Sequence, residues 1–270
     1  MFTRLPQTLA VVAMATIMIP GAIASAAPAT NSTSDVCSQK LLLTDGQVRF
    51  AVTDDNGKLN LQFEDDTQQH GQGTVVRNTD EVILGVDGEE DYERNMYYDG
   101  TLSFLADDND LKFFVTPFNN TPLEPVLYSE TVSHDNYVDS ILNAHVEPVS
   151  IPDGAEFGVF LPIAPKTGPD PVIRSDSNDY IWDFKYAHNH LRHRWGFSIA
   201  GTYTFDIFYS AKLKDSGKVI ESNKIRVTYV IGDEYYEPCA EAAIKPGETS
   251  QAPTPTPTSR PTREPLSLEM

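Results

Sequence analysis

The sequence predicts an all-β fold, an antiparallel β-sandwich of Ig-like or jelly-roll-like type, in a single domain with a Pro/Thr-rich C-terminal tail. Three observations predict it. Apolar and polar residues alternate along many short segments, which is the period of half-buried strands. Turn-forming residues punctuate those segments. No amphipathic stretch is long enough to serve as a helical crossover between parallel strands. Strands joined by short turns pair antiparallel, and two packed sheets bury one face each. A barrel is the alternative closure.

Composition bounds the function. The chain has 270 residues, 39 Asp+Glu against 20 Lys+Arg, and a formal charge of −19. A surface this acidic repels phosphate backbones, so nucleic-acid binding is excluded as a primary role. Apolar residues make up 40% of the chain, enough for a real core.

The N-terminus reads as a signal peptide over residues 1–26. Arg4 gives the positive start, Leu9–Ile19 the apolar region, Pro20-Gly21 a helix break and Ala24-Ser25-Ala26 a cleavage site. That apolar run is shorter than the roughly 20 residues a bilayer span needs. Cleavage removes Arg4 and no acid, leaving 19 basic against 39 acidic residues, a net −20. No later run is apolar enough to span a membrane. The expected location is extracellular, secreted or cell-wall-associated.

Cys37 and Cys239 are the only cysteines. Export favours a disulfide between them over two free buried thiols. The chain-entropy model gives about 5 kcal/mol for so long a loop. The pair brackets the expected domain, 37–239, and leaves 240–270 as a tail. Within that tail, Gln251–Thr262 alternates Pro and Thr and favours a stiff, solvated PPII spacer. The sequence given ends at Met270 with no sorting motif or apolar stretch, which leaves a released protein and a missing anchor both open.

Inside the bracket, Lys58–Glu64 places Leu59, Leu61 and Phe63 on one face, and Thr202–Ser210 does the same with Tyr203, Phe205, Ile207 and Tyr209. Further strands are expected at 47–54, 81–86, 101–106, 111–117, 126–132, 144–151, 156–162 and 219–231. Residues 137–144 suggest a short turn of helix. Turns are expected at Asp55-Asn56-Gly57, Asp107–Asp110, Pro152-Asp153-Gly154 and Asp215-Ser216-Gly217, because Asn and Gly accept positive φ. Asp87–Glu93 is an acidic run with oxygen ligands for calcium but no fixed ligand spacing.

The segment Asp183–Phe197 concentrates His188, His190 and His193. In an extended strand His188 and His190 share a face, about 6.6 Å apart, close enough to hold one zinc or manganese ion. His193 joins them only if a bulge or turn intervenes. A further ligand would come from His70, His134, His145 or a carboxylate. Lys185, Arg192 and Arg194 make the same stretch basic, which opposes a cation and equally fits a structural or surface role.

The His-x-His pair followed by Trp195-Gly-Phe197-Ser-Ile-Ala-Gly201-Thr-Tyr203 resembles the signature of the actinobacterial surface-anchored protein domain, the choice-of-anchor M domain. Gly46-Gln47-Val48, Asn56–Leu59, Asp65-Asp66-Thr67 and Val230–Asp233 extend the resemblance over most of 41–233. Gln47 stands where the family carries His, and the interval from His190 to Trp195 is about two residues longer than usual. The resemblance implies a secreted, wall-associated β-domain and carries over His188 and His190 as ligands. It further implies metal capture beside an ABC transporter.

No G-x-S-x-G, H-E-x-x-H, P-loop or G-x-G-x-x-G motif occurs. The chain therefore reads as a non-enzymatic binding module. One reading is capture of a divalent metal through His188 and His190 for an ABC importer. The alternative is a structural or adhesive module that binds another surface protein or a glycan, to which Tyr97-Tyr98 and Tyr235-Tyr236 contribute as exposed turns. A secreted hydrolase is the third.

Overall fold

The computed structural model describes residues 33–87, 90–91, 101–106, 112–116, 123–129, 132–161, 170–185, 187–188 and 193–244. The expected signal peptide, the Pro/Thr tail, the Asp107–Asp110 turn and Tyr97-Tyr98 lie outside them.

Elements follow in chain order. Helix α1 is Thr33–Cys37, and β1 to β4 are Leu41–Leu43, Gly46–Asp55, Lys58–Asp65 and Val75–Arg77. β5 to β8 are Val82–Val86, Glu90–Asp91, Lys112–Val115 and Leu123–Tyr128. β9 to β12 are Ile141–Ser150, Phe157–Leu161, Asp170–Arg174 and Ile181–Lys185. β13 to β16 are Arg194–Phe197, Gly201–Lys212, Val219–Glu221 and Ile225–Ile231, and α2 is Asp233–Ala242.

Among the described residues these strands form three sheets. A seven-stranded sheet runs β1-β5-β16-β14-β9-β12, with β15 on β14. A five-stranded sheet runs β11-β10-β13-β7-β6, and a four-stranded sheet β4-β3-β2-β8. The all-β sandwich expectation holds. Pairing is mostly antiparallel, but β1/β5, β5/β16 and β2/β8 are parallel. Parallel neighbours need long connections, so no local turn signal announces them.

The main core takes side chains from all three sheets. Its largest fully buried member, Trp195, packs on Phe50 of β2, Phe205 of β14 and Tyr229 of β16, with centroids 6.0, 6.0 and 5.5 Å away. Both alternating strands turn their expected faces inward: Leu59, Leu61 and Phe63, and Tyr203, Phe205, Ile207 and Tyr209, are all buried. Asn56 and Gly57, at φ 53 and 79, close the β2/β3 hairpin as their residue types demand. Gly201 opens β14 at φ 153, where an added Cβ would sit 2.4 Å from Pro152.

Several expectations are corrected. Residues 101–106 form a turn rather than a strand. Leu102 and Leu105 are spaced by three, so both point inward and bury with Phe113, Val115 and Phe160. The short turn of helix suggested at 137–144 is a 3-10 turn at Val138–Ser140 and goes no further, since β9 begins at Ile141. Two 3-10 turns, His134–Asn136 and Val138–Ser140, lead into β9, because Asp139 and Ser140 take left-handed φ of 55 and 57. The strand expected at 219–231 divides into β15 and β16 around residues 222–224. Tyr235 and Tyr236 are half-buried in α2, not an exposed turn.

Cys37 and Cys239 form the expected disulfide. It ties α1 to α2 over Leu42, Ile83 and Val230 in a second apolar cluster. Ordered structure runs past Cys239, correcting the boundary expected at residue 240: α2 ends at Ala242, and the Ile244 N–H donates to the Lys40 carbonyl at 2.9 Å. Replacing both cysteines by Ser is expected to lower the unfolding free energy by about 2–5 kcal/mol in urea. An unchanged midpoint would contradict a stabilising role.

Candidate functional site

The histidine segment does not continue β12 as a regular strand. The chain turns after Lys185, whose N–H donates to His188 Nδ1 at 2.9 Å. The His188 ring stacks on Trp182 at 4.9 Å and meets the edge of Phe184 at 5.7 Å. His190 lies outside the described residues. His193 is buried, its ring edge-on to Trp182 at 5.5 Å. His193 Nε2 accepts the Leu127 N–H at 2.7 Å.

These bonds assign the proton on each neutral ring. A neutral imidazole has one accepting and one donating nitrogen. His188 therefore holds its hydrogen on Nε2, and His193 holds its hydrogen on Nδ1. A metal ion needs a lone pair, so binding His188 as placed means displacing the Nε2 proton or the Lys185 bond. Burial, then the charges of Lys185 and His134, hold the His188 pKa below the usual imidazole value. Among the described residues no group of three His, Cys, Asp or Glu is arranged to hold a metal ion.

Both histidines seal sheet edges. β8 ends the four-stranded sheet, and its outward groups need partners because a buried amide without one costs about 1–3 kcal/mol. His193 takes the Leu127 N–H, and Trp195 Nε1 donates to the Pro125 carbonyl at 3.2 Å. At the β2/β8 seam the Tyr209 hydroxyl accepts from the Tyr128 N–H at 3.1 Å and donates to the Phe50 carbonyl at 3.3 Å. β12 ends the seven-stranded sheet, and His188 takes its last N–H.

Beside that turn lies a cavity of about 400 Å³. Lys185 and Ala187 form one wall, and Val132, Ser133, His134, Asp135 and Ser140 form the other. The second wall is held from behind. His134 Nδ1 donates to the Ser140 carbonyl at 3.1 Å, so Nε2 accepts the Ser129 hydroxyl at 2.8 Å. Burial holds the His134 pKa below its ordinary value, opposed by the Ser140 bond and by Asp135. Tyr137 is fully buried, and its hydroxyl donates to Asp54 at 2.6 Å. The Lys214 N–H donates to the Asn136 carbonyl at 3.0 Å. Asp139 and Ser140 are consecutive non-glycine residues in the left-handed region, at a cost of order 1–3 kcal/mol each.

The rim is charged. Lys185 and Asp135 are both exposed, and among the described residues neither takes part in an ion pair. Sequence reasoning assigned His134 only as a candidate third metal ligand and missed Ser129, Ser133, Asp135 and Ser140. No linear motif joins these residues to Lys185, because the cavity forms only when β12 docks beside the start of β9.

The other histidines sit elsewhere. His145 stacks on Phe208 at 4.1 Å on the outer face of the large sheet and bonds Ser210 Oγ at 2.8 Å. His70 lies in the loop between β3 and β4, where its carbonyl accepts from Arg77 at 2.8 Å. Of the acidic run 87–93, no side chain beyond Asp87 is described.

No family model and no curated protein matches this chain. The functional reading therefore rests on the geometry.

His193→Leu removes the acceptor for the Leu127 N–H and is expected to cost about 1–3 kcal/mol of stability. Chemical denaturation measures it, and a midpoint equal to the wild type would remove the edge-sealing role. Burial is the largest influence on His70, His134, His145 and His188, and it lowers all four pKa values from 6.5. The unfolded chain therefore binds more protons just below pH 6.5. Their contribution is complete above that pH and is lost as pH falls toward the folded values. Urea midpoints are expected to drop between about pH 7.5 and 5, less steeply in His134→Gln. A flat profile would contradict it.

Proposed function

We propose that the mature chain is an exported, surface-associated, non-enzymatic binding module that recognises a protein or glycan through the cavity between Lys185 and the 132–140 loop, without metal. The supporting observation is the cavity itself. A buried hydrogen-bond network and two strained residues shape it, yet its rim charges are left for solvent or ligand. The disulfide suits an oxidising compartment, and the family resemblance points to the cell wall. The Ser129–His134 pair has the residues of a nucleophile and its base, but Ser129 is fully buried and out of reach of a substrate.

A second reading, capture of zinc or manganese by His188 and His190 for an ABC importer, requires His188 to give up either its Nε2 proton or the Lys185 amide.

Two measurements test the proposal. Labelled mature protein is expected to bind washed cells or purified wall fragments saturably, and Ala187→Trp, which fills the cavity, is expected to weaken this at least tenfold. Unaltered binding by the variant would remove the cavity from the account. Zinc or manganese titrated into chelator-stripped protein is expected to show no submicromolar site dependent on these histidines. Submicromolar binding abolished by His188→Ala/His190→Ala would instead establish metal capture.

A further inference from the structure

Among the described residues the cavity rim carries one cation and one anion, neither in an ion pair. Lys185 ends β12 on one side, and Asp135 sits in the loop on the other. Both are exposed, and both residues line the same space of about 400 Å³. Opposite charges across a small cavity define a dipole that a ligand of matching polarity would satisfy.

We infer that the cavity binds a small zwitterion, an α-amino acid or its equivalent, with carboxylate on Lys185 and ammonium on Asp135. This inference deepens the proposed function and rests on the same cavity. Its walls narrow the chemistry. A simple anion meets Asp135 and a chain of net charge −19, which disfavour its approach. A metal cation meets Lys185. Among the described lining residues no Tyr, Trp or Phe offers a sugar ring a face to stack on. A ligand of zero net charge with separated ionic ends avoids all three objections. The volume lies at the small end of ligand cavities, which run about 300–1,000 Å³.

The supports of each charge are fixed. His188 accepts the Lys185 N–H and so holds the turn that presents Lys185 and Ala187. His134, pinned between Ser129 and Ser140, holds the loop that presents Asp135. Ser133 adds an exposed hydroxyl to the same wall. Lys185 and Asp135 are thus the binding pair, and His188 and His134 are positioning residues.

The test uses the full mature chain and free L-amino acids at up to about 10 mM, a range that detects millimolar affinity. Thermal shift screens the set, and the His134 ring resonances report on the cavity. At least one free amino acid is expected to raise the melting temperature and move those resonances. Its N-acetyl and carboxamide derivatives, each lacking one charge, are expected to bind at least tenfold more weakly. Lys185→Gln and Asp135→Asn are each expected to weaken binding at least tenfold while leaving the unliganded melting temperature unchanged. The inference fails if no free amino acid moves the resonances, or if the singly charged derivatives bind as well. If Ala187→Trp still abolishes wall binding in that case, the proposed function stands without the zwitterion. If Ala187→Trp leaves wall binding intact, the cavity itself is the wrong site.

Discussion

Trp195 stands where three sheets meet, and the rest of the molecule is arranged around that contact. Its ring touches β2, β14 and β16, and its two N–H groups are spoken for. The backbone amide donates to Thr116 Oγ1 at 2.9 Å, and the indole donates to Pro125 on the β8 edge. A fully buried indole would lose about 1–3 kcal/mol per orphaned donor. Both partners therefore have to be in place when the core closes. β13 is short, but it places Trp195 and Phe197 in the main core while Gly196 makes room for Leu105 on the other side.

The same demand explains why histidines cluster just before β13. Three sheets that abut through one core leave edges that no further strand covers. The protein covers two of them with imidazoles. A neutral imidazole can accept an amide hydrogen and pack on an aromatic ring at once, and both do so around Trp182, His188 stacked on the indole and His193 edge-on to it. Because His188 closes its turn tightly, Lys185 and Ala187 become a wall rather than a continuing strand. Fold and candidate site thus share one device: edge sealing on one side of the segment creates a cavity on the other.

Alternation made the sandwich legible. Leu59, Leu61 and Phe63 and the four inward residues of β14 could be placed from their period alone, and Asn56-Gly57 from its backbone preference. The disulfide was legible from the expected compartment and the cysteine count. The parallel pairs were not, because β1, β5 and β16 are joined by long connections with no local mark. Leu102 and Leu105 misled because spacing by three in a turn buries residues much as alternation does in a strand. The histidines were legible as unusual, but their chemistry was not. Residue type allows an imidazole to be a ligand or an acceptor, and only its neighbours decide. His188 has the spacing of half a metal pair, but its Nδ1 holds the Lys185 amide. The cavity left no linear trace, since Asp135 and Lys185 meet only through the β9/β12 pairing.

The central claim is that His188 and His193 serve as acceptors for edge amides. Long-range nitrogen-15 NMR of the imidazole rings near neutral pH tests it most directly. The account predicts the Nε2–H tautomer at His188 and the Nδ1–H tautomer at His193, both unchanged when zinc is added. Hydrogen on Nδ1 of His188, or a ring that changes tautomer as zinc binds, would contradict it.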